Sequence, residues 1–184
     1  MADTDATFIG TEKYYEVYGQ GEPSGSANDV ESLWNDEVAD GGDYDINIDT
    51  DSGVDISETD TMSDALSYVR THPIVQTHLN YHDKDAVIVV DARSYSPSGT
   101  AYGGTAGSDW AVGIVSPDSS STAAHELAHI YGASHTDFVN FGWFSHTLME
   151  NDEPSCNGND PQLMEEMTYS DCTIEDSIRE HDVF

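Results

Sequence analysis

The sequence has very little positive charge. Five lysines and arginines stand against 36 aspartates and glutamates in 184 residues, which gives a formal net charge of -31. Such an acidic chain repels phosphate backbones and anionic headgroups, so we expect neither nucleic acid nor an anionic membrane as a partner. The acidic residues are spread among aromatic and aliphatic segments, which places them on the surface of a folded domain and not in a disordered tail.

Long apolar runs are also missing. The sequence has no apolar stretch approaching the roughly 18 residues that suggest a transmembrane helix, and we therefore expect no membrane span. Residues 1–7 have neither the basic region nor the apolar core of an export signal. A signal and a pro-segment removed on maturation would leave a sequence of this kind.

Cysteine is scarce, with only Cys156 and Cys172. In an oxidising compartment these two residues could close a loop of about 15 residues, which chain-entropy estimates value at ~3 kcal/mol. We expect a disulfide, and with it an extracellular or cell-surface location. The alternative is a pair of thiols, buried or at the surface.

Hydrophobic periodicity predicts one mixed α/β domain over residues 1–184, without an internal repeat. Aromatic, β-branched or continuous apolar runs predict strands. Apolar residues at helical spacing, with capping residues before them, predict helices. The predicted strands cover residues 7–18, 43–48, 86–90, 100–102 and 110–115. The predicted helices cover residues 26–40, 63–72, 122–131 and 173–181.

The segment His125-Glu126-Leu127-Ala128-His129 is the most informative part of the sequence. Two histidines four residues apart lie one turn apart on the same face of a helix, so both imidazoles can reach one metal ion. Glu126 lies beside that face, where its carboxylate can take a proton from metal-activated water without being a ligand. We therefore predict His125 and His129 as metal ligands and Glu126 as the general base.

A third histidine, His135, follows His129 by six residues. It could not point the same way if the helix continued, but Gly132 can adopt the left-handed conformation that ends helices. Three nitrogen ligands leave the fourth tetrahedral position open to water, which is typical of catalytic and not of structural zinc. We predict one catalytic Zn²⁺ held by His125, His129 and His135.

The remaining histidines have no ligand spacing that supports a metal site, and we interpret them as structural or solvated. They are His72, His78, His82, His146 and His181. The alternating acidic run over residues 45–53 suggests a calcium loop but lacks the glycine and distal glutamate of an EF-hand. A strand with an acidic outer face is the preferred interpretation, and calcium stays unsupported.

The segment 125–135 matches the metzincin signature His-Glu-x-x-His-x-x-Gly-x-x-His. Metzincins also carry a methionine in a turn beneath the metal, and Met149 occupies a suitable place. In the astacin-like and serralysin-like branches a tyrosine follows that methionine by two residues, whereas this chain has Asn151. These branches are therefore disfavoured.

Within the metzincins the chain resembles the adamalysins, also called reprolysins. The similarity rests on three segments besides the signature, namely His82-Asp83, Gly99-Thr100-Ala101-Tyr102-Gly103-Gly104 and Tyr169-Ser170-Asp171-Cys172. The chain departs from that branch at Thr136, which separates His135 from Asp137. The resemblance implies a twisted, mixed five-stranded sheet with an active-site helix, an upper subdomain of about residues 1–132 and a small irregular lower subdomain of about residues 133–184.

The function implied by the signature and the resemblance is zinc-dependent endopeptidase activity on a peptide or protein substrate, by a chain that we expect to be monomeric. The substrate would lie antiparallel to the edge strand. Two alternatives use the same metal site: a catalytically inactive zinc-binding interaction domain, and an enzyme that hydrolyses a non-peptide amide. An intact Glu126 argues against the inactive domain, because only catalysis requires the base.

We predict that the protein needs high salt to fold, because five cations cannot neutralise 36 acids and the carboxylates repel one another at low ionic strength. The Debye length falls from about 10 Å at 0.1 M salt to about 3 Å at 1 M, which screens this repulsion. The melting temperature, followed by circular dichroism with divalent cations chelated and the zinc content checked separately, should rise steeply with NaCl or KCl. An unchanged melting temperature between roughly 0.1 M and 3 M would show that the acidic composition has another purpose.

Overall fold

A computed structural model describes residues 4–39, 44–93, 98–117, 120–134, 169 and 174–179. Its centre is a five-stranded mixed sheet with the strand order β2-β1-β3-β5-β4. The strands are β1 Thr4–Thr11, β2 Ile46–Val54, β3 Ala86–Val90, β4 Gly99–Ala101 and β5 Val112–Val115. The predicted α/β class and the mixed five-stranded sheet are confirmed.

Four strands of the sheet are parallel and one is not. β1 pairs in parallel with β2 on one side and with β3 on the other, and β3 pairs in parallel with β5. β4 runs antiparallel to β5 and forms one edge of the sheet. β3 is buried along its whole length, as its continuous apolar sequence predicts for a central parallel strand.

Within the described ranges, five α-helices accompany the sheet. They are α1 Glu12–Tyr18, α2 Ser24–Glu37, α3 Met62–Val69, α4 Pro73–Asn80 and α5 Ser120–Ile130. α2 and α5 pack against each other on one face. On the other face α4 contacts β1 through His78 and Thr7, and α3 packs over β4 and β5. In the described part of the chain, no helix is long and apolar enough to cross a membrane.

The first predicted strand, 7–18, is wrong in its second half. The strand ends at Thr11, and α1 follows directly. The hydroxyl of Thr11 accepts a hydrogen bond from the backbone N–H of Tyr14 at 3.1 Å and so caps the new helix. The β-branched and aromatic residues of this segment favour a strand, but the cap formed by Thr11 stabilises a helix instead.

A second difference concerns the chain after Pro73, where no element was predicted. α3 ends at Val69, before Pro73. Pro73 is itself the first residue of α4, since proline suits the first turn of a helix. The ring of His72 caps α4 by accepting the backbone N–H of Ile74 at 3.3 Å. At the C-terminal end, the predicted helix 173–181 is a short π-helical turn, Ile174–Ile178.

The described C-terminal residues pack against α2 and α5. Tyr169 is buried and stacks edge-on against Trp34 of α2 with ring centroids 6.1 Å apart. Its hydroxyl donates to the carbonyl of Ala124 in α5 at 2.8 Å, and Arg179 donates to the carbonyl of Val38. These contacts hold α2 and α5 together. The proposed division into upper and lower subdomains stays a prediction.

Candidate metal centre

Helix α5 carries the predicted site residues and is buried along most of its length. One side consists mainly of alanines and aliphatic residues, which allow close packing against the sheet and α2. They are Ala123, Ala124, Leu127, Ala128 and Ile130. Packing on this side fixes the position of the helix. The side chains of His125 and His129 lie on a different side of the helix and are partly buried.

The end of α5 has the left-handed turn that the sequence predicts. Gly132 has φ 98°, a value that residues with a side chain rarely adopt. The N–H of Ala133 bonds to the carbonyl of Ala128 at 3.0 Å, and the N–H of Gly132 bonds to that of His129 at 3.0 Å. These two bonds form a Schellman motif, which turns the chain away from the helix axis.

The two histidines point their outer ring nitrogens at each other. The Nε2 atoms of His125 and His129 are 3.0 Å apart, with the rings nearly perpendicular at 84°. Two nitrogen lone pairs at this distance repel, so a proton or a cation must lie between them. Two imidazoles on a tetrahedral zinc, with Zn–N about 2.0–2.1 Å, place their nitrogens about 3.3 Å apart. The observed spacing fits a shared zinc ion within a few tenths of an ångström.

The other nitrogen of His129 makes a hydrogen bond that fixes the state of the ring. Nδ1 lies 2.7 Å from the carbonyl oxygen of Ala133. A carbonyl can only accept, so Nδ1 carries the proton, and in the neutral imidazole Nε2 then presents its lone pair. Metal-ligating histidines characteristically have such a partner behind them. Because Ala133 belongs to the turn at Gly132, the end of the helix also orients the ring of His129.

Glu126 lies between the two histidines in sequence and is buried, with 6% of its surface exposed. Burial raises the pKa of its carboxyl to about 8. A dication bound by the neighbouring histidines would act in the opposite direction, because opposite charge favours the ionised carboxylate. A buried carboxyl beside a cation site is therefore suited to holding and releasing a proton.

The edge strand β4 approaches Glu126 closely because residue 99 is glycine. A Cβ atom at Gly99 would lie 2.7 Å from Glu126 Oε1 and 2.7 Å from Thr122 Cγ2, both closer than real Cβ contacts. The chain after β4 also bonds to the end of α5. The N–H of Gly104 donates to the carbonyl of His129 at 2.8 Å, and that of Thr105 donates to Ile130 at 2.8 Å. The edge strand and the helix are thus joined on both sides of the site.

Several predicted site features lie outside the described residues. They are the third ligand His135, Met149, Asn151 and the cysteines Cys156 and Cys172. In the described ranges alone, no cluster of three or more His, Cys, Asp or Glu side chains could hold a metal ion. The structure therefore brings together His125, His129 and Glu126, and the completion of the metal site by His135 stays a prediction.

A second pair of histidines has the same spacing but a different environment. His78 and His82, also four residues apart, have ring centroids 5.3 Å apart. His78 Nε2 lies 2.8 Å from Asp51 Oδ2, and its Nδ1 lies 3.3 Å from the hydroxyl of Thr7. Both nitrogens of His78 are thus engaged in joining α4 to the sheet, which agrees with the structural interpretation of this histidine.

Sequence reasoning missed two residues that shape the site, Gly99 and Ala133. Ala133 acts through its backbone carbonyl, which no side-chain pattern reveals. In the sequence Gly99 is one of several glycines in its segment, and its close approach to Glu126 joins residues 27 positions apart. The signal that could have found it is a glycine at the start of an edge strand, where a close approach is common.

Comparison with known proteins supports the fold. No protein-family model and no curated protein matches the sequence. Among solved structures, one described as a chaperone-substrate complex is similar to this chain, with TM-score 0.61 and 18% sequence identity. The match covers 80% of this chain and 27% of the chain in that structure. Metalloproteinase-II from Bacteroides fragilis is similar to this chain with TM-score 0.53 and 20% sequence identity. That match covers 74% of this chain and 44% of the metalloproteinase chain. This chain thus spans less than half the length of either. Its fold is similar to that of a metalloproteinase.

We predict that His125→Ala loses zinc and that His78→Ala keeps it. Replacing a residue that only supports a ligand typically costs 10–100-fold in metal affinity, so removing a ligand should cost more than about 100-fold. Zinc content after dialysis and affinity by competition with a chelating dye measure this, with circular dichroism as the check on folding. The pair is matched because both residues are the first histidine of a pair with the same spacing. Equal zinc affinity in the two variants would remove His125 from the metal site.

Proposed function

We propose that this chain is a zinc-dependent endopeptidase of the metzincin type, with Glu126 as its general base. The observation that carries the proposal is the arrangement on α5. Two histidine nitrogens lie 3.0 Å apart, one of the two rings is oriented by the Ala133 carbonyl, and the same helix carries the buried carboxyl of Glu126. The metalloproteinase-like fold supports the same reaction class.

His125, His129 and His135 would hold the metal, with His135 assigned from the sequence signature alone. Zinc, when bound at such a site, acidifies water and polarises a carbonyl, which makes a neutral amide open to attack. The chain contributes the orientation of the ligands. The Nδ1–H of His129 stays on the Ala133 carbonyl, so its Nε2 stays available as a ligand.

Glu126 moves the proton in this scheme. Its carboxylate accepts a proton from the attacking water and then delivers it to the amide nitrogen. The carbon–nitrogen bond breaks, the water oxygen stays on the acyl fragment, and the amine leaves with the added proton. Burial of Glu126 keeps bulk water away from the carboxyl while it carries the proton from the water to the amide nitrogen.

The free side of β4 is the proposed binding edge for the peptide. Among the described residues β4 pairs only with β5, so its other edge can accept an extended chain through backbone hydrogen bonds. Such a chain passes Glu126, because Gly99 of β4 lies directly against that side chain. An extended peptide would thus reach the base and the histidine pair in one position.

The setting of the enzyme is part of the proposal. We propose an extracellular or cell-surface location, a disulfide between Cys156 and Cys172, a monomeric state and adaptation to high salt. The reasons are the cysteine count and the net charge of -31. The inactive zinc-binding domain is not favoured, because a protein that only binds has no need for a buried glutamate beside the metal ligands.

We predict that Glu126→Gln lowers kcat/KM by about 10²–10⁴-fold, the usual contribution of a general base, while zinc stays bound. The amide keeps the shape of the carboxyl but cannot accept the proton. Cleavage of quenched peptides in molar salt, with metal analysis of the same samples, measures both effects. Glu58→Gln, which removes one charge at an exposed position, is the control. Substantial turnover by Glu126→Gln would assign the base to another residue.

A separate prediction concerns the close approach of β4. Gly99→Ala should reduce kcat/KM by at least about tenfold, because its methyl group must displace Glu126 or Thr122. Gly103→Ala is the matched control, since a Cβ there would lie 3.5 Å from the His129 carbonyl, an ordinary contact. Both variants should retain zinc. If both were equally active, the position of Glu126 against β4 would be irrelevant to catalysis.

A further inference from the structure

Arg70 differs from the other four cations of the chain. Those four each pair with a carboxylate: Lys13 with Glu16, Lys84 with Asp49, Arg93 with Asp91, and Arg179 with Glu175. Within the described residues Arg70 has no ion pair, although the sequence contains 36 acids. Its Nε is buried without a hydrogen-bond partner in that same part of the chain. In so acidic a protein, a guanidinium without an ion pair anywhere among the described residues requires an explanation.

The Arg70 guanidinium lies on an aromatic surface next to the edge strand. Its central carbon is 3.8 Å from the centre of the Trp110 ring, a cation–π contact. Trp110 in turn meets Tyr102 edge-on, with ring centroids 5.2 Å apart. Because Trp110 is 46% exposed, a ligand in solvent can reach this surface. We call Arg70, Trp110 and Tyr102 the Arg70 platform.

The platform is held in place by side chains beneath it. Gln76 of α4 donates through Nε2 to the carbonyls of Arg70 at 2.6 Å and Asp109 at 3.3 Å, which ties the end of α3 to the Trp110 loop. The hydroxyl of Thr105 lies 2.6 Å from the Tyr102 carbonyl and 3.1 Å from the Trp110 carbonyl. A binding surface fixed before the ligand arrives loses less entropy on binding.

The platform lies along the path proposed for the peptide. Tyr102 follows β4 directly, and its N–H continues the pairing with β5 by donating to Val112 at 3.1 Å. Side chains alternate along a strand, so Tyr102 is on the face opposite to Gly99, which contacts Glu126. A peptide residue opposite Tyr102 would present its side chain on the same face as Tyr102.

The strand direction gives the position of that residue relative to the bond that is cut. A peptide antiparallel to β4 has its N-terminal part beside Tyr102 and its C-terminal part beside Gly99. Tyr102 is three positions after Gly99, about 10 Å at the rise of a strand. Since Gly99 marks the base, the residue at the platform is about three positions on the N-terminal side of the scissile bond.

We propose that the Arg70 platform is a specificity subsite that binds an acidic side chain of the substrate, about three residues before the scissile bond. Stacking occupies the face of the guanidinium and its Nε is buried, so the two Nη groups remain for a carboxylate, which can accept one N–H bond from each. The rest of the protein, at a net charge of -31, repels an acidic peptide. Arg70 thus makes the platform a position where an acidic side chain is attracted and not repelled. The inference rests on the proposed endopeptidase function.

The experiment compares peptide pairs that differ only by Glu or Gln at one position, scanned over the residues before the scissile bond, at fixed high salt. In the wild-type protein, kcat/KM should be roughly 3- to 10-fold higher for Glu at one position only, the scale of a partly exposed charge pair. Arg70→Met, which keeps packing on Trp110, should abolish or reverse the preference. Arg70→Lys should keep part of it. Lys13→Met, which removes an exposed cation of α1, should leave it unchanged.

Binding of the same peptides to the Glu126→Gln variant separates the two hypotheses. If peptides are bound with an Arg70-dependent Glu preference but are never cut by the wild-type protein, the subsite stands and the endopeptidase proposal fails. If peptides are cut but Arg70→Met leaves the Glu preference unchanged, or Lys13→Met reduces it equally, the subsite is wrong. If no peptide is bound or cut, both proposals are wrong.

Discussion

The arrangement of the molecule depends on the close packing of α5 against the edge of the sheet. Gly99 allows β4 to approach the side chain of Glu126, and the backbone of Gly104 and Thr105 bonds to the last carbonyls of the helix. On its other side, α5 is held by α2 and by the hydroxyl of Tyr169. A helix fixed on both sides cannot rotate, so the histidines, the buried glutamate and the free strand edge keep one relative position.

The charge distribution follows a consistent pattern. Four of the five cations join parts of the fold or neighbouring helical turns, and Arg93 does so most extensively by bridging buried Asp91 to the carbonyls of Ile56 and Thr59. Such a buried pair is costly to break, since either partner alone would be an uncompensated charge. In a chain with so few cations, one that is kept beside the edge strand on an aromatic ring is best explained by a ligand that carries the opposite charge.

Much of the fold could be predicted, because many of its elements depend on local patterns. The strand Ala86–Val90 follows from its continuous apolar run, and the helix around Val30 and Trp34 from their four-residue spacing. The errors occur where a single contact overrides composition. Thr11 caps α1 within a segment rich in strand-forming residues, and Pro73 begins a helix where only an ending was predicted.

The sequence by itself determined the chemistry of the candidate site. The spacing of His125 and His129 places them on one helical face because the α-helix repeats every 3.6 residues, and Gly132 ends the helix because it tolerates positive φ. The tertiary structure decided which groups surround that chemistry: the Ala133 carbonyl behind His129, Gly99 against Glu126, and Arg70 over Trp110. The contacts of Gly99 with Glu126 and of Arg70 with Trp110 join residues far apart in the sequence, and the Ala133 contact is made by the backbone. Local residue spacing therefore does not reveal them, because tertiary packing and the path of the chain bring these groups together.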